Sequence, residues 1–367
     1  MDAGWRQTLR TTLKWCWAAC LFCTGTLGRI RRRIAREGGV IVLTFHRVLP
    51  DADYEQSYSP RGMLVREQTF DAIARYTARQ CKPAKLAASP LELLHKSGRK
   101  PQLAFTFDDG WADNGHYAMP IARSNGIPVT IFLCCERMGE SFPFWPERVF
   151  AVCQAAERKG DLARVVRFLA ERHDVFPKEM PTHDARELAQ ALTAWLKTLP
   201  VRHCERAVAE LVDRFGPLPA EPQVTAREST MTWEEAQRLA DEGTTFGSHT
   251  SSHVILPQLV PAEARQEVEA SKRTLRQRLN RPCTTFSYPN GSWSREIRAL
   301  VEEAGYSLAL HNDCGIWSRG SDPYLVPRVN VCEGTAVGPS GRFSRLIFEY
   351  NVFWKADRAT RRSEKVN

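Results

Sequence analysis

The N-terminal apolar run of this 367-residue chain is too short to cross a bilayer. Trp15 to Gly28 is uncharged for 14 residues, whereas a spanning helix needs roughly 20. The cysteines lack a pattern as well. Their count, 11, is odd, the close set Cys16, Cys20 and Cys23 has no second Cys or His pair at zinc-finger distance beyond it, and a chain of this length has core enough without staples. Neither a disulfide framework nor a structural zinc module is implied, and such usage suits a reducing compartment or at least no dependence on bridges. Cys134 and Cys135 follow an apolar run and read as structural residues, whereas Cys16, Cys20 and Cys23 read as small hydrophobes or acylation sites. Nor is the chain short of apolar residues, which excludes disorder: 43% are hydrophobic, ample for one α/β domain of roughly 250 residues or more plus an excursion.

Acidic residues are scarce at the two ends. Residues 1–36 hold eight Arg and Lys against one Asp, and residues 355–367 hold five against two, so the net charge of +9 leaves about −1 between them. A groove for nucleic acid is therefore not implied. Arg6, Arg10 and Lys14 precede the apolar run, and Arg29, Arg31, Arg32 and Arg33 follow it. Three readings stay open. The run is an interfacial anchor with Trp15, Trp17, Leu21 and Phe22 in the lipid boundary and arginines on anionic headgroups, a secretory signal, or a soluble helix. The anchor reading places the protein at the cell envelope or a membrane surface. Because the first strand pattern begins only near Val40, loss of residues 1–36 is expected to leave the fold intact.

From Val40 strand and helix patterns alternate. Apolar runs read as strands at Val40–Phe45, Ala84–Leu86, Leu103–Phe107, Val129–Leu133, Thr244–Gly247, Thr284–Ser287 and Ser307–Leu310, with helices near 69–80, 262–279 and 294–304. About seven strands alternating with helices point to a parallel α/β barrel. Between Phe142 and Thr230 the alternation gives way to helix with proline breaks. The segments are thus an N-terminal piece, 1–36, a barrel, 37–335, a helical insertion within it, 142–230, and a C-terminal extension with a basic tail, 336–367.

Charge collects where the central strand ends. Leu103-Ala-Phe-Thr-Phe107 runs into Asp108, Asp109 and Gly110, at the edge where parallel α/β folds build sites. Two adjacent carboxylates on extended backbone point in opposite directions, which suggests different jobs. After a helix opening with the capping box Thr232-Trp-Glu-Glu235, a short strand delivers His249 and His253, four apart as on one helical turn. Asp109, His249 and His253 make a two-His, one-carboxylate set that leaves coordination positions open, as a catalytic divalent-metal site requires.

These motifs, Thr106-Phe-Asp-Asp-Gly110, Ser248-His-Thr-Ser-Ser-His253 and Phe286-Ser-Tyr-Pro-Asn-Gly291, resemble in order and spacing those of the polysaccharide deacetylases of the NodB-homology type, carbohydrate esterase family 4, and most closely the branch of exopolysaccharide systems. The resemblance implies a distorted, incomplete (β/α)7 barrel, here with a helical insertion. It also implies a hydrolase of linear amides that removes N-acetyl groups from an acetylated glycan with a divalent metal, zinc above all. Asp108 would be the base, and Asp109, His249 and His253 the metal ligands. A leaving amine must be protonated, and His46, at the end of Ile41-Val-Leu-Thr-Phe45, competes for that role with His311 in Leu308-Ala-Leu-His311. Relatives place an Arg at the position of Ser287, so Arg328 is the cation that could hold Asp108 instead. The turn Tyr288, Pro289, Asn290, Gly291 would offer an oxyanion donor, and Tyr288, Trp293 and Trp317 a sugar-stacking face. Two other classes stay open: an amidase or esterase for a non-carbohydrate acyl group, and a catalytically idle carbohydrate-binding protein.

Overall fold

In the computed structural model, residues 3–86, 93–94 and 98–363 are described, the side chains of residues 3–8 and of Arg10 excepted. Among the described residues there are ten short strands: β1 Val40–Phe45, β2 Arg47–Leu49, β3 Leu64–Arg66, β4 Lys82–Ala84, β5 Gln102–Phe107, β6 Val129–Leu133, β7 Thr245–Ser248, β8 Thr285–Ser287, β9 Leu308–Leu310 and β10 Arg328–Asn330. Seven of them form an all-parallel sheet in the order β10-β1-β5-β6-β7-β8-β9. β4 shares one edge of β5 with β6, bonding residues 102–104 while β6 bonds 105–107. The two ends of the sheet approach each other. A parallel bridge links Leu310 to Val326, two residues before β10, so the sheet is a nearly closed barrel with an unsealed seam. The expected distorted (β/α)7 barrel is what forms.

Every residue of β1, β5 and β6 is buried, as in a parallel sheet covered on both faces. The period of two divides them. Ile41, Leu43, Phe45, Leu103, Phe105, Phe107, Val129, Ile131 and Leu133 face the helical layer, where Phe70 packs edge-on to Phe45 at 5.2 Å. Val40, Val42, Ala104, Phe132, Leu308, Leu310, Trp317 and Val326 fill the barrel interior. Gly247 belongs to this filling, since a Cβ there would sit 2.6 Å from the Phe132 ring. The same parity carries past the strand ends and turns Asp108 inward after Ala104 and Thr106.

Three local expectations are corrected. Residues 249–253 are not a helical turn but an irregular loop in which Thr250 and His253 both have φ 67°. Asp109 is not extended either, at φ 75°, so the opposed-carboxylate geometry of a strand does not apply to it. Arg328, beyond the last strand expected at Ser307–Leu310, opens a further one, β10, pairing with Val42. The sequence hid this strand because Arg-Val-Asn is short, polar and preceded by Pro327.

The N- and C-terminal segments pack on the barrel within one compact unit, residues 1–54, 62–138 and 231–367. Helix Thr26–Glu37 buries Leu27, Ile34 and Ala35, and the C-terminal helical run buries Phe348, Val352, Phe353 and Ala356. Glu349, buried there, accepts from Arg31 at 2.8 Å and from Tyr76 Oη at 2.7 Å. Loss of residues 1–36 would therefore strip core, contrary to the expectation from the position of β1.

Residues 55–61 and 139–230 form a second compact unit. Its helices Trp145–Arg158, Leu162–Ala170, Ala185–Leu196 and Val201–Phe215 close on their own core of Val149, Phe150, Leu188, Leu192 and Leu211. Glu140, Phe142, Glu228 and Thr230 exchange main-chain hydrogen bonds where this unit's chain enters and leaves.

Candidate active site

Register assembles the site. Phe45 pairs with Phe107 and Leu133 with Ser248, so His46 and Asp108 leave the sheet at one level, as do Cys134 and His249. The Asp108 amide donates to Phe45 O at 3.0 Å, and the His249 amide to Leu133 O at 2.9 Å.

Asp108 is fully buried and gripped from β10. Arg328 Nη1 donates to its Oδ1 and Nη2 to its Oδ2, both at 2.8 Å, and Ser287 Oγ lies 3.3 Å from Oδ2. Burial alone would raise the pKa of this carboxyl, but the Arg328 guanidinium, with His249 and His46, holds it well below the usual carboxylate range. Arg328 is itself braced by Nε donating to His311 O at 3.2 Å.

Asp109 sits among different partners. Its Oδ1 lies 3.5 Å from His249 Nε2 and 3.4 Å from His253 Nε2, while Oδ2 accepts from Trp111 Nε1 at 3.2 Å. His249 Nδ1 is 2.8 Å from Ser287 O. A carbonyl only accepts, so Nδ1 carries a proton and the ring is held with Nε2 turned toward Asp109. For His253, burial pushes the pKa down to about 4 against the pull of Asp109, which keeps its imidazole neutral. Two imidazoles and one carboxylate, the His253 ring partly open to solvent, fit a divalent ion by their donor chemistry.

The two candidate acids lie in different settings. His46 Nδ1 is buried without a hydrogen-bond partner, and its neighbours are Asp109, Asp108, Arg328 and His249. Burial lowers its pKa, the two carboxylates oppose this, and Arg328 and His249 add to it. The His311 ring instead meets Asp313, whose amide donates to Nδ1 at 3.3 Å. Burial lowers its pKa too, with Asp313 opposing.

The turn after β8 departs from expectation. Tyr288 is a core residue, its ring 5.3 Å from that of Phe286 and its hydroxyl on Tyr324 O at 3.1 Å. Its amide donates to Leu310 O and that of Gly291 to Tyr288 O, and Pro289 has no N–H, so these three offer an oxyanion nothing. Asn290 occupies the left-handed region at φ 56°. Trp317 plugs the barrel interior, which removes it from the stacking face. Trp293 is 39% exposed, its ring 6.4 Å from that of His311.

The sequence reading missed a supporting group. Arg47 is buried with Nε on Asp113 Oδ2 at 2.8 Å and its guanidinium 4.0 Å from the Trp111 ring centre, beneath the indole that orients Asp109. Asn114 Nδ2 donates to His46 O at 2.8 Å. No local pattern marked this group, since Asp and Asn are ordinary residues at a helix start.

Residues 210–309 match the family model described as "Polysaccharide deacetylase". Over that stretch, a little more than a quarter of its length, the chain is similar to polysaccharide deacetylases. The matched stretch holds His249, His253 and Ser287, and the pairing of β5 with β6 and of β6 with β7 brings Asp108 and Asp109 to them. The Bacillus subtilis (strain 168) protein named "Putative polysaccharide deacetylase YxkH" is 28% identical over 113 residues, 31% of this chain and 40% of that one. Streptococcus pyogenes deacetylase PplD, solved in complex with acetate, shares the fold at TM-score 0.50 and 15% identity, over 83% of this chain and 96% of that one. Bacillus cereus BC0361, a polysaccharide deacetylase, shares it at TM-score 0.50 and 13% identity, over 83% and 67%.

Proposed function

We propose that this protein is a metal-dependent hydrolase that removes N-acetyl groups from a polysaccharide or glycoconjugate. The observation that carries the reading is the two-point grip of Arg328 on Asp108 beside the Asp109, His249, His253 corner. An isolated Asp-Asp pair at a turn needs no buried arginine; a base that must stay ionised in an apolar barrel does. The family match over residues 210–309 supports the same chemistry.

Asp109, His249 and His253 would hold the ion, zinc by donor type. When bound, the ion supplies Lewis acidity, polarising an acyl carbonyl and lowering the pKa of water at the site. Asp108, kept ionised by Arg328, takes the proton of the attacking water. His46, whose Nδ1 has no protein partner, carries a proton to the departing nitrogen. The amide C–N bond breaks, and acetate and a free amino sugar leave. The test is acetate release by the zinc-loaded protein from N-acetyl chitooligosaccharides, O-acetyl esters and simple acyl amides. Release from the glycan alone supports the reading; release only from a non-glycan amide or ester would replace the substrate class, and none from any would leave an idle carbohydrate-binding protein.

We also propose that the N-terminal helix Ala3–Cys23 rests on an anionic lipid surface. Among the described residues no helix is long and apolar enough to cross a membrane. Along this helix Leu9, Leu13, Cys16, Trp17 and Cys20 share one exposed stripe, with Leu13 60% and Trp17 50% exposed. Leu21, expected in the lipid boundary, is instead buried against the protein. Arg29 and Arg32 on the next helix are polar neighbours suited to headgroups. The side chains of Arg6 and Arg10 lie outside the described residues.

A further inference from the structure

The corner around Asp109 includes a donor that neither the motifs nor the resemblance implies. Cys134 follows β6 directly. The alternation that sends Val129, Ile131 and Leu133 to the helical layer sends Thr130, Phe132 and Cys134 into the barrel, the side on which Asp108 and Arg328 meet. Pairing of Leu133 with Ser248 sets Cys134 level with His249, and its thiol, fully buried, donates to His249 O at 3.4 Å. The ligand atoms of Asp109, Cys134 and His253 all lie within 4.8 Å of one another, the one such group of three donors found among the described residues. Cys135 supplies the contrast. It faces away, its sulfur donating to Ser271 O at 3.5 Å on the helix Pro261–Leu279. Both cysteines read as structural in the sequence; Cys135 lies against a helix, whereas Cys134 faces the ligand atoms of Asp109 and His253.

We propose that Cys134 is a sulfur ligand of the ion held by Asp109, His249 and His253, and that it tunes the site toward thiophilic ions such as Zn2+ and Co2+. The inference rests on the metal-dependent reading above. On ligation the S–H bond breaks, a sulfur lone pair forms the bond to the ion, and the proton leaves to solvent; nothing is oxidised. Carboxylate and imidazole accept hard and borderline ions alike, whereas a thiolate disfavours Mg2+ and Mn2+. Zinc expands to five ligands during catalysis in other enzymes, so four protein donors still leave a position for the reaction.

X-ray absorption at the zinc edge of the full chain, loaded with one equivalent of Zn2+, tests this directly. The expected spectrum has one sulfur neighbour at about 2.3 Å, which Cys134→Ser loses and Cys135→Ser keeps. The Co2+-loaded protein should show a matching sulfur-to-metal charge-transfer band that Cys134→Ser abolishes. Should Cys134→Ser fail to fold, the wild-type spectrum decides alone. Zinc bound through nitrogen and oxygen only, at about 2.0–2.2 Å, would overturn the sulfur ligand and leave the metal reading standing. A wild-type protein that binds no zinc at all would overturn both.

Discussion

Arg328 reaches Asp108 across 220 residues of sequence and meets both of its carboxylate oxygens at 2.8 Å. Relatives are expected to hold the base with an Arg at the place of Ser287. Here Ser287 contributes a hydroxyl at 3.3 Å and the cation comes from the opposite side of the barrel seam, on β10. The same function is met from a different strand, because what the carboxylate needs is a charge at bonding distance, whatever its position in the chain.

Arg328→Met should therefore be costly in two ways. It leaves a buried carboxylate unpaired, a loss of roughly 3–5 kcal/mol in urea unfolding at pH 7, and should lower turnover by about 10²-fold or more as the base loses its ionised form and its orientation. The pH dependence follows in sign. The folded-state pKa of Asp108 is depressed, so the pair's stabilisation is present above the unfolded carboxylate value, about 3.9, and is lost as pH falls toward the lower folded value. Wild-type Tm should fall in acid with this component, and the Arg328→Met curve should lack it. An unchanged acid limb would show that the grip does not govern the charge.

Much of this was legible in the sequence because strand ends and motifs coincide. Leu103–Phe107 read as a buried strand and forms one, and the six other strand patterns fall within two residues of their expected places. What escaped were features set by tertiary contact. Asp109 and His253 both have left-handed backbone, and the His253 loop is pinned by a distant neighbour: Glu267 accepts from the amides of Ser251 and Ser252 at 2.9 and 3.1 Å. Tyr288 and Trp317 looked like rim aromatics, since no local pattern separates a ring on a rim from one that plugs a barrel.

The N-terminal segment divides at Gly25, which sits at φ 70° between two helices. Removing residues 1–24 should leave a cooperatively folding protein with reduced binding to anionic vesicles. Removing residues 1–36 should not, because Leu27 and Ile34 each stand to cost about 2–5 kcal/mol against a total margin of roughly 5–15. Thermal unfolding and vesicle flotation of the two truncations check this. Equal vesicle binding by the full chain and by the shorter truncation would end the lipid-surface reading.

His46 and His311 separate by leaving group. If His46 carries the proton, His46→Ala should slow amide hydrolysis roughly 10²–10⁴-fold and activated aryl esters far less, since those leave without protonation. His311→Ala should be mild on both, apart from loosening the Asp313 contact. The reverse pattern would move the role to the strand end after β9.

The division of labour between the adjacent carboxylates is the centre of this account, and metal content measured beside acetate release in single variants tests it most directly. Asp108→Asn should retain close to wild-type zinc and lose nearly all acetate release, while Asp109→Asn, His249→Ala and His253→Ala should lose zinc. An Asp108→Asn protein emptied of metal, or one fully loaded and still active, would contradict it.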